Sequence, residues 1–264
     1  MPYPERLVFV RHGQSEANLV QKGLISPEPE GFRDRPDINM RLSSKGVEQA
    51  KITGQWLKEN IPSFDRFYVS PFVRAVETAI TLDISEKWLL DDLIRERDWG
   101  EYGKYSREEQ ERLFVGSTML KKEFAWYWKP VGGESLSTGV RLRVNSLLTH
   151  LSRLENVKNV ICVSHGEFIS TSKFVIEKMT PHQWVEMDED PEKSIFNAMV
   201  YEYSRVNPTN PEDIRMFFSW RRAICPWDIS KSHDNGEWVE IKDKEYLSTE
   251  LRQFINQYPN LVVM

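Results

Sequence analysis

A three-layer α/β/α sandwich around a mostly parallel sheet is the fold the sequence predicts, and three observations carry that prediction. Short apolar runs of strand length recur along the chain: "LVFV" at Leu7 to Val10, "RFYVS" around Phe67 to Val69, "VICVS" from Val160, "NAMVYEY" around Met199 to Tyr203 and "MFFSW" at Met216 to Trp220. Stretches with helical spacing separate several of them, which is the α/β alternation. Two of the runs also end alike: His12 and Gly13 follow the first strand as His165 and Gly166 follow the third. Parallel strands bring such ends to one sheet edge.

The first helix is expected in "LSSKGVEQAKITGQWLKENIP", with Ser43 as N-cap, Val47, Ala50, Gly54 and Leu57 on one face, and Asn60 and Pro62 as the stop. In "YVSPFVRAVETAITL" Ser70 is the expected cap and Pro71 the first helical residue, which places Arg74 one turn in, near the end that attracts anions. "VRLRVNSLLTHLSRL", Val140 to Leu154, is a further amphipathic helix leading into "VICVS". The stretch from Glu101 to Val131 breaks the alternation and is expected as a lid-like helical excursion over the sheet edge. Its aromatic residues Phe124, Trp126, Tyr127 and Trp128 are expected to pack in the core. Residues 1–225 are expected to form one domain, and 226–264, with a short helix in "LSTELRQFINQY", an appendage on it.

Composition narrows the function. A chain of 264 residues with 40% hydrophobic residues and nine Trp can bury a sizeable core. Its net charge of −5 gives no general attraction to nucleic acid or to an anionic membrane, so any bound anion must meet a local cluster of cations. Cys162 and Cys225 are expected as reduced thiols, the short segment before the first strand does not resemble a signal peptide, and no apolar run has the length of a membrane span. A cytoplasmic setting is expected.

Arg11, His12, Arg74 and His165 would converge on one sheet edge with several donors and up to four positive charges, which suits a phosphoryl group. Neutral His12 could attack phosphorus through one ring nitrogen while a backbone carbonyl holds the other. Gly13 would give backbone and phosphate a close approach, and a protonated His165 would donate to the phosphoryl oxygens. The leaving oxygen needs a proton, for which Glu16, Glu77, Glu96, Glu134 and Glu167 are the candidates. No HxH, HExxH, CxxC or P-loop motif is present, so no metal and no cofactor is expected.

Five blocks, "LVFVRHGQSEAN", "YVSPFVRAVETA", "LIRERDWGEYG", "GGES" and "VSHGE", together resemble the histidine phosphatase superfamily, in the branch that includes cofactor-dependent phosphoglycerate mutases. The resemblance runs in order from Leu7 to about Trp220. It implies a phosphohistidine on His12, a phosphate pocket completed by Arg11, Arg74 and His165, a polar contact from Asn18, and Glu96 of "RERDWG" as proton donor. Gly166 stands where the acid phosphatase and phytase branch has an aspartate donor, which favours Glu96 over Glu167. Lys121 and Lys122 stand where the mutases would have an arginine pair, and Trp99 where they usually have tyrosine. These departures lean toward the broad-specificity phosphatases.

The expectation is therefore a phosphatase of small phosphomonoesters, sugar phosphates among the candidates, whose partner is a small phosphorylated metabolite rather than nucleic acid or membrane. Lys104, Tyr105 and Trp128 of the excursion are candidate contacts to the leaving group. The alternatives are a phosphoglycerate mutase and a non-catalytic module that binds a phosphorylated ligand. His150, His182 and His233 are expected to be solvated or structural.

Overall fold

Leu7, Val8, Phe9 and Val10 are all fully buried, which requires cover on both faces of the strand that holds them. The computed structural model, which describes residues 2–25, 28–243 and 245–258, supplies that cover. This strand, β1 (Arg6–Arg11), is followed by α1 (Glu16–Gln21), α2 (Ser44–Asn60), β2 (Arg66–Val69), α3 (Val73–Thr81) and β3 (Leu89–Leu90). Next come α4 (Arg107–Leu113), α5 (Val115–Glu123), α6 (Arg141–Leu151), β4 (Asn159–Ser164), α7 (Gly166–Ile176) and α8 (Pro181–Glu189). The chain continues through β5 (Val200–Ser204), β6 (Val206–Asn207), β7 (Asn210–Ile214), β8 (Trp220–Ile224), β9 (Val239–Glu240) and α9 (Ser248–Asn256).

The central sheet has the order β3-β2-β4-β1-β5-β8-β9, and β6 and β7 form a separate hairpin. β1 to β4 are mutually parallel. β5 runs against β1, β8 against β5 and β9 against β8, so β8 shares the direction of the parallel group. Side-chain alternation divides the core: Leu7, Phe9 and Cys162 pack with Val144 and Leu147 of α6 and Phe168 of α7. On the other face Val8, Val10, Ile161 and Val163 pack with Leu57 of α2 and Ala75 and Ala79 of α3. The sandwich has the three expected layers.

Local chemistry accounts for most boundaries. Ser43 caps α2 by accepting from the Gly46 N–H, as expected. Ser70 does not cap α3, which starts at Val73 with no side-chain cap, and Pro71 lies ahead of the helix. The serine hydroxyl is committed to His165 instead. The strand expected at Met216 to Trp220 begins where that window ends. Met216 and Phe217 are exposed, and β8 carries Arg221 and Arg222, whose charges are met by Glu177, Asp234 and Glu202. Ion pairs made only after folding hide this strand from an apolar pattern.

The excursion holds α4 and α5. Trp126 and Trp128 are buried as expected, whereas Phe124 and Tyr127 face solvent. Its neck closes where Gly100 adopts φ +51° with Val131 O 2.2 Å from the place a Cβ would occupy. The segment after 225 contributes β9 to the sheet edge and ends in α9, whose residues are exposed; 259–264 lie outside the described residues. His150 meets the Tyr68 hydroxyl, His182 pairs with Glu186 at the surface, and His233 is buried against Tyr201. Cys162 and Cys225 are buried and unbridged. No helix among the described residues is long and apolar enough to cross a membrane.

Candidate active site

Strand register assembles the site. Arg11 of β1 is level with Ser164 of β4, and Val163 of β4 with Val69 of β2. The residues that leave these strands, His12, His165 and Ser70, therefore emerge side by side at the carboxyl edge. The imidazole centroids of His12 and His165 are 5.1 Å apart.

His12 Nδ1 lies 2.7 Å from the Gly13 carbonyl oxygen. A carbonyl only accepts, so Nδ1 carries the hydrogen and Nε2 keeps its lone pair. His165 Nε2 lies 2.8 Å from Ser70 Oγ, and Phe72 packs edge-on against the same ring. Burial, then the charges of Arg74 and Arg11, push the pKa of His12 well below that of a free imidazole. Burial and Arg74 do the same to His165. Both rings are neutral at pH 7, which corrects the expectation of a protonated His165: a second cation is not favoured among buried arginines.

Arg11 donates through Nη1 to the Ile195 carbonyl, and its guanidinium lies against Gly166 at the start of α7, 3.5 Å from where a Cβ would sit. Arg74, buried on α3, is bonded to Asp37. Arg11 Nε and His165 Nδ1 are both buried without a hydrogen-bond partner among the described residues.

Four of the five carboxylate candidates separate by their surroundings, and the fifth, Glu167, lies in the first turn of α7. Glu16 pairs with Arg35, and Glu77 with Arg41. Glu134 is half-buried, which by itself would raise its pKa, yet hydrogen bonds from Arg143 and Arg95 hold it below the usual range. Glu96 is different: loss of hydration and the neighbouring charge of Glu167 raise its pKa to about 7. Within reach of the charges of Arg74 and Arg11, it is a carboxyl able to hold a proton at neutral pH.

Several expected contacts take other roles. A Cβ on Gly13 would come 2.4 Å from Gly46 O, so its missing side chain admits the start of α2 rather than a phosphate. The Asn18 amide oxygen accepts from Ser15 N–H and from Asn197, which leaves only its NH2 group for a ligand. Lys104 is paired with Glu101, and Tyr105 packs on Phe114. Neither has a hydrogen bond or ring contact to the histidines among the described residues. Trp128 is buried with its indole N–H on Ser117. Ser70, Asp37 and Asn197 were not singled out as site residues. Ser70 had a usable signal, since it follows a strand as the histidines do, whereas Asp37 and Asn197 arrive from loops that carry none.

A sequence profile of the Histidine phosphatase superfamily (branch 1) matches residues 7–198. The chain belongs to the histidine phosphatase superfamily. Within it, the chain is 30% identical over 188 residues to a 2,3-bisphosphoglycerate-dependent phosphoglycerate mutase of Rhizobium meliloti, covering 69% of this chain and 84% of that one. It is 33% identical over 183 residues to the enzyme of the same name from Sinorhizobium fredii, covering 67% and 82%. The fold is similar to a mycobacterial glucosyl-3-phosphoglycerate phosphatase, with TM-score 0.61 and 24% identity over 76% of this chain and 92% of that one. It is also similar to a putative alpha-ribazole-5'-P phosphatase from Escherichia coli, with TM-score 0.62 and 20% identity over 82% and 97%. A histidine phosphatase fold thus underlies the site.

Proposed function

We propose that this histidine phosphatase superfamily member is a metal-independent phosphatase of small phosphomonoesters, sugar phosphates among them. The observation that carries the reading is the pair of nitrogens buried without a partner among the described residues, Arg11 Nε on the strand that delivers His12 and His165 Nδ1 at the exit of the neighbouring strand β4. Buried polar groups are rarely left unsatisfied, and a phosphoryl group offers the oxygens that would satisfy them.

The His12 Nε2 lone pair attacks phosphorus while the bond to the leaving oxygen breaks, and Glu96 transfers its carboxyl proton to that oxygen. Arg11, Arg74 and His165 share the phosphoryl oxygens. A water then attacks phosphorus, its proton passes to the Glu96 carboxylate, the phosphorus–nitrogen bond breaks and both groups return to their starting states. The second reading, a phosphoglycerate mutase, is favoured by the names of the relatives. Against it, Lys121, at the place of an expected mutase arginine, is packed over the rings of Trp99, Tyr102 and Trp128.

Hydrolysis of 4-nitrophenyl phosphate and of a panel of sugar phosphates tests the choice. The expected result is phosphate release that persists with chelator and is abolished by His12→Ala. Full activity in that variant overturns the covalent step. Interconversion of 2- and 3-phosphoglycerate, stimulated by the bisphosphate and without phosphate release, identifies a mutase.

A further inference from the structure

The two nitrogens of His165 have different surroundings. Nε2 lies 2.8 Å from Ser70 Oγ, while Nδ1 has no protein partner, and both side chains are fully buried. A neutral imidazole has one N–H and one lone pair, so the ring can be arranged in two ways. If Nε2 carried the hydrogen, it would donate to Ser70 Oγ, which already receives the Phe72 N–H at 3.4 Å. The serine hydroxyl hydrogen would then have no acceptor, and Nδ1 would offer a lone pair to any incoming oxyanion. If Ser70 donates to Nε2, every hydrogen is accounted for. Phe72 N–H bonds to Ser70 Oγ, the serine O–H bonds to Nε2, and a hydrogen remains on Nδ1.

We propose that Ser70 is a positioning residue that locks His165 in its Nδ1–H tautomer, so that the ring donates a hydrogen bond to the phosphoryl group being transferred. The catalytic use of that hydrogen rests on the phosphoryl-transfer reading; the tautomer does not. Arg11, Arg74, Arg143 and His12 are the groups whose charges act on this ring, and all of them oppose its protonation. A fixed tautomer supplies the donor that a positive ring would otherwise supply. The same chain of bonds explains why Ser70 sits ahead of α3 without capping it: its hydroxyl points to the neighbouring strand's exit instead.

The test is a long-range proton–nitrogen correlation spectrum of the ligand-free, full-length protein labelled with 15N-histidine, with His165 assigned by its disappearance in His165→Asn. The expected spectrum has a protonated Nδ1 and an unprotonated Nε2. Ser70→Ala is expected to shift His165 toward the Nε2–H form and to lower kcat at least about tenfold, and Ser70→Thr, which keeps the hydroxyl, to restore both. A wild-type His165 with its hydrogen on Nε2 overturns the proposal, as does Ser70→Ala with an unchanged tautomer. If Ser70→Ala does not fold, the wild-type spectrum decides alone. A wild-type protein that shows the Nδ1–H form but hydrolyses no phosphomonoester leaves the tautomer standing and removes the phosphatase reading.

Discussion

Arg74 is gripped by Asp37: its Nη1 donates to the Asp37 carbonyl at 2.7 Å and to Oδ1 at 3.2 Å, and its Nη2 to Oδ2 at 3.0 Å. The arginine side chain is 5% exposed and the aspartate 57% exposed. A buried guanidinium needs an anionic partner, and Asp37 supplies one from a position that water can reach. A phosphoryl group that uses Arg74 competes with this carboxylate for the same donors.

Asp37→Asn is therefore expected to strengthen oxyanion binding. A half-exposed pair is worth up to about 1 kcal/mol, or about fivefold in affinity. Inhibition constants for vanadate measure it. A weaker inhibitor constant in the variant would show that Asp37 holds Arg74 in its working position instead of competing with the ligand.

Loss of the proposed proton donor has a leaving-group signature. Glu96→Gln is expected to cost about 10²- to 10⁴-fold in kcat with alkyl phosphates, and much less with 4-nitrophenyl phosphate, whose leaving group needs little protonation. Glu134→Gln is the control, because that carboxylate is spent on Arg95 and Arg143. It should lower stability by about 1–3 kcal/mol through the unpaired arginines without a dependence on the leaving group. Equal leaving-group sensitivity in the two variants would remove Glu96 from the role.

The pH dependence follows from the same groups. In the proposed reaction Glu96 starts protonated, so kcat is expected to fall as pH rises through about 7. The same reaction needs a neutral His12, whose lowered pKa is expected to extend activity below pH 6.5 before the acid limb begins. In Glu96→Gln the alkaline limb near 7 should vanish. A wild-type rate that stays level from pH 6 to pH 9, with chemistry limiting, would contradict the assignment.

Stability follows pH in the same directions. Glu96 has a raised pKa, so its contribution is complete below the ordinary 4.5 and is lost as pH rises through about 7. Removing that ionisation in Glu96→Gln should stabilise the protein at pH 8 by up to about 3 kcal/mol, with little change at pH 4. His12 and His165 have lowered values, so their contribution is present above about 6.5 and is lost as pH falls below it. Urea unfolding at pH 4, 6 and 8 reads both trends.

Gly13→Ala would place a methyl group 2.4 Å from Gly46 O. The backbone of β1's exit or the start of α2 must move, with an expected cost of about 1–3 kcal/mol and a matching loss of activity as His12 shifts. A variant with wild-type melting temperature and kcat would show that this contact relaxes freely.

Most of the central strands, the α2 cap and the positions of His12 and His165 after their strands were legible because each rests on local pattern or on a motif held within a few residues. β8 was shifted, since Arg221 and Arg222 are paid for by ion pairs with distant residues, and the β6–β7 hairpin was unforeseen because its second strand, Asn210–Ile214, is mostly exposed and polar. The partners of Lys104 and Tyr105, Glu101 and Phe114, were not legible because spacing along the excursion says nothing of where its side chains turn.

Arg11, His12, Gly13, Arg74 and His165 were present as a chemical list from the outset, and the alternation of strands and helices was enough to bring them to one edge. Their protonation and partners were decided by the folded chain. Burial among arginines makes both histidines neutral, burial and then the charge of Glu167 raise the pKa of Glu96, Gly46 claims the space at Gly13, and Asp37 and Ser70 cross from other segments to hold Arg74 and His165. Desolvation and through-space charge depend on distances between residues far apart in the chain, and those distances exist only once the layers have packed.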